Sequence, residues 1–443
     1  MSAHRLLNTD PAVRQAYSAD VSGLVMIPDA VARPRTAAQV LEVLTSAAAN
    51  DTPVTPAGSQ TSTTGASIAD RGILLSMRAM DRVIDIDVAT RRAIVEPGVL
   101  LGDLNRVAAE HGLLFAPDPT SLDDVTVGGA VACNASGARS LLYGPTRPHV
   151  QALDVALMSG ALLQVRRSGL DKNTAGYAFA QEPVDWFVGS EGSLGVITRA
   201  ELSLVPLPPS VVGLAFPCAD EATALSLVIA IRESPLRPRC IEYFDPVALD
   251  VALQRSGALV YVEDATGMPL DAWLELAERF GAAQDIEVFE GDAALREARR
   301  FRHAVPATMN ERGAARRSAG GRKVSTDWAV PYRRLPEAIA HARRLVDAAG
   351  LDQPAIYGHA GNGHPHENFI AADADELHRV EQVVEETLRY VLSIGGTVSA
   401  EHGIGKIKRR WLPLQASLTQ LGVMRAVKRE LDPRDLLAPG NIL

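Results

Sequence analysis

The stretch PDPTSLDDVTVGGAVACNASGARSLLYG, residues 117–144, decides how the chain is read. It is dense in turn formers and poor in helical periodicity. Irregular segments this long inside a compact domain are usually functional. Its Gly128, Gly129, Gly137 and Gly144 let backbone approach a ligand and reach φ > 0. Two other segments share this character. PAGSQTSTTGAS (56–67) offers amides and hydroxyls suited to wrapping a diphosphate. GSEGSLGVITRAELSLVPLPP (189–209) packs small residues into a turn that feeds a β-run. The first of these is neither the GxGxxG of a Rossmann unit nor a P-loop ending in GK[ST].

The 443 residues around them are too many for one ordinary core, which predicts two domains. A net charge of −9 argues against a nucleic-acid surface, because phosphate binding needs a basic face. Cys133, Cys218 and Cys240 are far apart without a CxxC, so an iron–sulfur cluster is excluded and buried free thiols are expected. No apolar run reaches 18 residues and no apolar h-region opens the chain, so a cytoplasmic protein without a membrane span is expected. Thr36-Ala-Ala-Gln39 predicts a capped helix through Ala49. PLPPS (206–210) marks a domain boundary. Beyond it, β-runs near 212–216 and 258–263 alternate with helices near 219–233, 269–281, 335–349 and 373–393, an α+β pattern.

GHAGNGHPHENF, residues 358–369, holds three of the ten histidines. AIYGH reads as a strand, AGNG as a turn and HPHENFI as a second strand carrying Pro365. Period two puts His364, His366 and Asn368 on one face, with His359 able to reach it across the turn; the register stays open. Two imidazoles converging from a hairpin are half a metal site. An anionic ligand is sought in GGTVSAEHGIGKIKRR (395–410), where Glu401-His402 follows a β-patterned run. Two histidines and a carboxylate suit Zn, Mn or Fe(II).

Taken in order, "P-x-G-x-x-T…G", "T-V-G-G…N-x-S-G…Y-G" and "G-S-E-G-S-L-G-V-I-T" closely resemble the PCMH-type FAD-binding domain of the vanillyl-alcohol oxidase and p-cresol methylhydroxylase superfamily. The second half resembles its FAD-linked D-2-hydroxy-acid dehydrogenases, which include D-lactate and D-2-hydroxyglutarate dehydrogenases and the flavin subunit of glycolate oxidase. That resemblance implies an α+β chain of two domains: a FAD-binding domain over 1–208 and a ferredoxin-like substrate or cap domain over 209–412. A C-terminal segment, 413–443, would pack back on the FAD domain. Pro56, Ala57, Gly58, Ser59, Gln60, Thr61 and Gly65 would hold the diphosphate. Thr126, Gly128, Gly129, Asn134, Ser136 and Gly137 would line the ribityl and isoalloxazine, with Gly192, Val196 and Ile197 on the adenine or flavin side. No histidine stands in the first loop, so FAD is expected to be non-covalent, with Cys133 a packing residue. His359, His366 and Glu401 match the metal ligands, His402 the general base and Asn368 a substrate contact. Asn362 and His364 replace residues that relatives often carry as Asp and Asn. In the tail, LDPRDLLAPGNIL, Ala438 and Asn441 replace an Asn and a Lys.

The chemistry implied is oxidation of a D-2-hydroxy acid, D-lactate-like, with hydride passing from Cα to flavin N5. A metal on the hydroxyl and the His402 base would make a poorly acidic proton removable. Arg302 is expected to bind the substrate carboxylate, with Lys323 a second candidate. Lys406 and Lys408 read as solvated, although Lys406 stands near the site. Electrons need an external acceptor: electron-transfer flavoprotein, a quinone or a cytochrome. Alternatives are a flavin subunit of a glycolate or lactate oxidase complex, a non-redox metal hydrolase, and a binding module without turnover. Oligomeric state, a homodimer included, is left open by the sequence.

Overall fold

A computed structural model describes residues 5–177 and 181–443. Two compact units divide it. One contains the chain up to Ser136, Gly144–Leu207 and Glu401–Leu443; the other contains Gly137–Tyr143 and Pro208–Ala400. Glu401 and His402 thus belong to the first unit, whereas the sequence reading drew its line at 412.

In the first unit the helix Ala37–Ala49 starts at Thr36, whose side chain accepts from the Gln39 amide. It buries Val40, Val43, Leu44 and Ala47 in a core shared with a four-stranded sheet, where Ala30–Ala32, Ile73–Ser76 and Val54–Ala57 run parallel. A five-stranded antiparallel sheet follows, in the order Val83–Asp87, Arg92–Val95, Val196–Ser203, Val150–Ala156, Leu162–Arg166. Residues 127–133, expected to be irregular, form a helix. Its two glycines disfavour helix, but the Thr126 cap and the burial of Val127, Ala130 and Val131 outweigh propensity. The C-terminal tail closes this unit. Leu437 bridges Val54, and buried Lys428 donates to Ser193 O, Leu437 O and the Asp432 carboxylate, 2.6 Å away.

The second unit is built on a seven-stranded antiparallel sheet, in the order Glu287–Glu290, Val212–Cys218, Ala258–Asp264, Cys240–Phe244, Ala355–His359, His364–Asp373, Gly320–Ser325. One face is covered by the helices Pro246–Leu253 and Gly291–Ala314, whose Ala248, Ala298, Val305 and Met309 pack with Phe244, Tyr261 and Tyr357. The strand Cys240–Phe244 and the helix Pro246–Leu253 escaped the sequence reading. No helix among the described residues is long and apolar enough to cross a membrane.

Asp432→Ala removes the nearer of two carboxylates beside the buried Lys428 ammonium, with Asp435 Oδ1 left 3.3 Å away, so a loss of about 1.5–3 kcal/mol is expected, measured as a lowered urea midpoint at unchanged slope.

Candidate functional site

The hairpin in the second unit settles the open register. His359 faces His364, Tyr357 faces His366 and Ala355 faces Asn368. Directly opposed residues share a face, so His359, His364, His366 and Asn368 lie on one side of the sheet. On the neighbouring strand Ser325 opposes Asn368 and Lys323 opposes Ile370, which adds Lys323 to that side. Two glycines make the turn feasible. Gly358 has φ +132°, and a Cβ there would lie 2.9 Å from the His366 ring. Gly363 has φ +69°, and a Cβ would meet Val330 O at 2.0 Å. Glu367 points the other way, toward Trp328 Nε1 at 3.0 Å, and burial pushes its carboxyl up to about 7.

The three imidazoles are buried, and each offers a ring nitrogen within 4.8 Å of the others'. Two of them touch buried carboxylates. His359 Nδ1 lies 2.8 Å from Glu242 Oε1, and His364 Nε2 lies 3.0 Å from Asp327 Oδ1. Burial pushes the Glu242 carboxyl up, but His359 and Arg302 outweigh it and hold it below the ordinary glutamate value. Asp327 also accepts from Ser399 Oγ at 2.8 Å, and its carbonyl accepts from the amide of Ala400, the residue before Glu401. A carboxylate on one ring nitrogen orients the imidazole and leaves the other nitrogen's lone pair for a cation.

Arg302 is already committed. It is nearly buried, 3.8 Å from Glu242 and 3.4 Å from Glu263. Glu263 is also held by Arg239 at 2.6 Å and Arg139 at 4.0 Å. Burial raises the Glu263 carboxyl, but these three guanidiniums bring it to about 2. Lys323 differs. Its ammonium donates to Asn310 Oδ1 at 2.8 Å, has no carboxylate beside it among the described residues, and is lowered to about 8 by burial. Asn368 is fully buried and donates weakly to His366 O, while its Oδ1 has no partner among the described residues.

In the first unit the three glycine-rich segments come together. A Cβ on Gly58 would lie 2.2 Å from Thr126 Oγ1, and one on Gly192 would lie 3.0 Å from Pro56. Ala57 ends the strand Val54–Ala57, and Ser59, Gln60 and Thr61 follow it, with Gln60 donating to Tyr17 O and Ser67 O. Gly65 has φ +79°. Gly128 and Gly129 lie in the helix Val127–Cys133, which the left-handed Asn134 ends. Val196 and Ile197 bury their side chains in hydrophobic cores, and Gly137 falls in the second unit. All three segments grip the Glu401–Lys408 loop. Thr64 O accepts from the Lys406 and Ile407 amides, Ser136 Oγ donates to Glu401 Oε2 at 3.2 Å, and the Glu191 carboxylate accepts from the Ile404 and Gly405 amides at 2.6 and 2.8 Å. His402 Nε2 is 3.6 Å from Glu401 Oε1.

Lys406 and Lys408 are not solvated surface groups: Lys408 is buried, and Lys406 Nζ donates to Gly65 O at 3.0 Å and Asn441 Oδ1 at 2.8 Å. Asn441 in turn donates to Ala66 O and Glu191 O, so the tail ties the first and third segments together. Glu242, Asp327 and Glu191 were not singled out from sequence. A lone acid in an apolar β-run, as in RCIEYF, was the available signal for Glu242.

Two family models match the chain. Residues 28–166 match the FAD binding domain family, and residues 207–442 match the FAD linked oxidases, C-terminal domain. The chain is 31% identical to glycolate oxidase subunit GlcD of Bacillus subtilis, over 97% of this chain and 92% of that one. It is 29% identical to D-2-hydroxyglutarate dehydrogenase of Xanthomonas citri pv. viticola, over 98% and 94%. It is 31% identical to a protein named probable D-lactate dehydrogenase, mitochondrial, of Danio rerio, over 98% and 88%. In fold it is similar to alkyldihydroxyacetonephosphate synthase, with a TM-score of 0.74 at 17% identity, over 98% of this chain and 83% of that one.

Asn441→Ala removes the hydrogen bonds to Ala66 O and Glu191 O and leaves Lys406 Nζ with Gly65 O. A loss of about 1–3 kcal/mol in unfolding free energy is expected, seen by thermal denaturation of the purified protein.

Proposed function

Because the chain belongs to the FAD-linked oxidase family, we propose that it oxidises a D-2-hydroxy acid to the 2-oxo acid, passing hydride to FAD and then electrons to an external acceptor. That it is an FAD-linked oxidoreductase follows from the family; the substrate, the metal and the residue roles are our reading. The names of its relatives, glycolate oxidase subunit and D-2-hydroxyglutarate and D-lactate dehydrogenases, support a 2-hydroxy acid. We take D-lactate or a close analogue as the substrate and FAD as non-covalently held.

The observation that carries the reading lies within the second unit. One sheet face carries three imidazoles beside two carboxylates and, among the described residues, an amide oxygen without a partner and a lysine without a counter-ion. The donors fit a divalent cation, since His359 keeps one nitrogen for it while Glu242 takes the other. His359 and His366 would hold the metal, with Glu401 as its anionic ligand. When bound, a divalent metal makes a coordinated hydroxyl more acidic. His402 would serve as the base toward the substrate hydroxyl proton. Asn368 accepts a hydrogen bond from substrate through Oδ1. Lys323 receives the substrate carboxylate, because Arg302 is neutralised by two glutamates and serves instead to keep Glu242 charged behind His359. The similarity to a protein named as a subunit keeps a second reading in view, in which turnover needs partner subunits.

Anaerobic mixing with D-2-hydroxy acids is expected to bleach the flavin bands, L-enantiomers to leave them, and prior EDTA treatment to stop the bleaching. Bleaching unaffected by metal removal would overturn the metal role. With an artificial electron acceptor, turnover by the isolated chain decides against the subunit reading.

Lys323 is charged below about pH 8 and loses its proton above it. kcat/KM for the acid is therefore expected to fall as pH rises through 8, and Lys323→Arg to remove that fall. Lys323→Ala is expected to raise KM roughly 30-fold, about 2 kcal/mol, in steady-state assays.

A further inference from the structure

We infer that His364 is a third imidazole ligand, so that the second unit offers a metal three neutral nitrogens where the motif it resembles supplies two. This rests on the metal site proposed above and deepens it. His364 stands directly opposite His359 and two residues before His366, on the same face as both. Its ring lies 4.6 Å from the His366 ring and 5.4 Å from that of His359, closer to each than His359 is to His366 at 5.5 Å. It is 4% exposed, so bulk water does not solvate it. A tetrahedral ion with metal–nitrogen bonds near 2 Å holds its ligand nitrogens roughly 3.4 Å apart, and a ring nitrogen of each of the three histidines lies within 4.8 Å of the others'.

Asp327 places a buried carboxylate beside His364, as Glu242 does beside His359. It is fully buried, 3.0 Å from His364 Nε2, and fixed from behind by Ser399 and Ala400. Acids placed beside metal-bound histidines commonly orient the ring, and Asp327 stands in that position.

The third imidazole has a consequence for metal identity. Imidazole suits zinc, whereas manganese favours carboxylate and water oxygens. Neutral donors also leave more positive charge on the ion, which favours an anionic substrate. The site is therefore expected to prefer Zn(II) over Mn(II), and the preference to depend on His364.

The test uses the full-length flavoprotein, stripped with chelator and titrated with Zn(II), Mn(II) and Co(II). Wild type, His364→Asn, His364→Ala and the surface control His378→Ala are compared. Flavin absorbance and circular dichroism verify folding. The expected result is one Zn(II) per wild-type chain, with Zn(II) affinity reduced about 100-fold or more in both His364 variants. Mn(II) affinity should change far less, and the Co(II) visible bands should shift. Unchanged Zn(II) affinity and Co(II) bands in a folded His364 variant would overturn the inference while leaving the metal site standing. A modest affinity loss with unshifted Co(II) bands would also overturn it, since that marks a positioning residue. A wild-type chain that takes up no metal would overturn both readings together.

Discussion

The pairing of His359 with His364 across the hairpin is the constraint on which the rest of the site depends. In a β-hairpin a slip of one residue sends every side chain to the opposite face. Here it would move His366 and Asn368 away from the covered face and bring Glu367 onto it. The turn prevents that slip. Gly358 takes a φ that other residues resist, beneath the His366 ring, and Gly363 fits against the Val330 carbonyl. The Val330 amide donates to Gly363 O, which fastens the turn to the segment carrying Asp327. Turn, register and the carboxylate behind His364 are thus parts of one arrangement.

The first unit follows a comparable logic with different means. No regular element holds the Glu401–Lys408 loop. Its amides are instead satisfied by one carbonyl and one carboxylate, Thr64 O and the Glu191 side chain, while Ser136 fixes Glu401. Burial raises the Glu191 carboxyl, opposed by the two amides it accepts from and by Lys408 and Lys406. Each of the three glycine-rich segments contributes one of these anchors. The final residues return through Asn441, so the tail completes the unit.

Charge placement separates two basic groups that look alike in sequence. Arg302 carries the delocalised, multiply donating head suited to a carboxylate, and it finds Glu242 and Glu263 within the protein. Their negative charge stabilises it in a buried place and leaves little field for a third anion. Lys323 has a neutral amide for a neighbour, so its charge is costly there until an anion arrives. The sequence favoured Arg302, and its pairing with Glu242 and Glu263 is the reason Lys323 is the group proposed for the substrate carboxylate.

By itself the sequence determined the architecture in outline. Glycine placement in three segments, the period-two pattern of HPHENF, the proline cluster at 206–210 and Glu401-His402 are local signals, and local signals are written in neighbouring residues. The tertiary structure alone decided which histidine faces which, that residues 127–133 are helical, and that Glu242, Asp327 and Glu191 stand behind the functional groups. Glu242 is 117 residues from His359, and Glu191 is 213 from Ile404. No periodicity connects positions so distant. They meet because strands pair and buried charges must find partners, a requirement met only once the chain has folded.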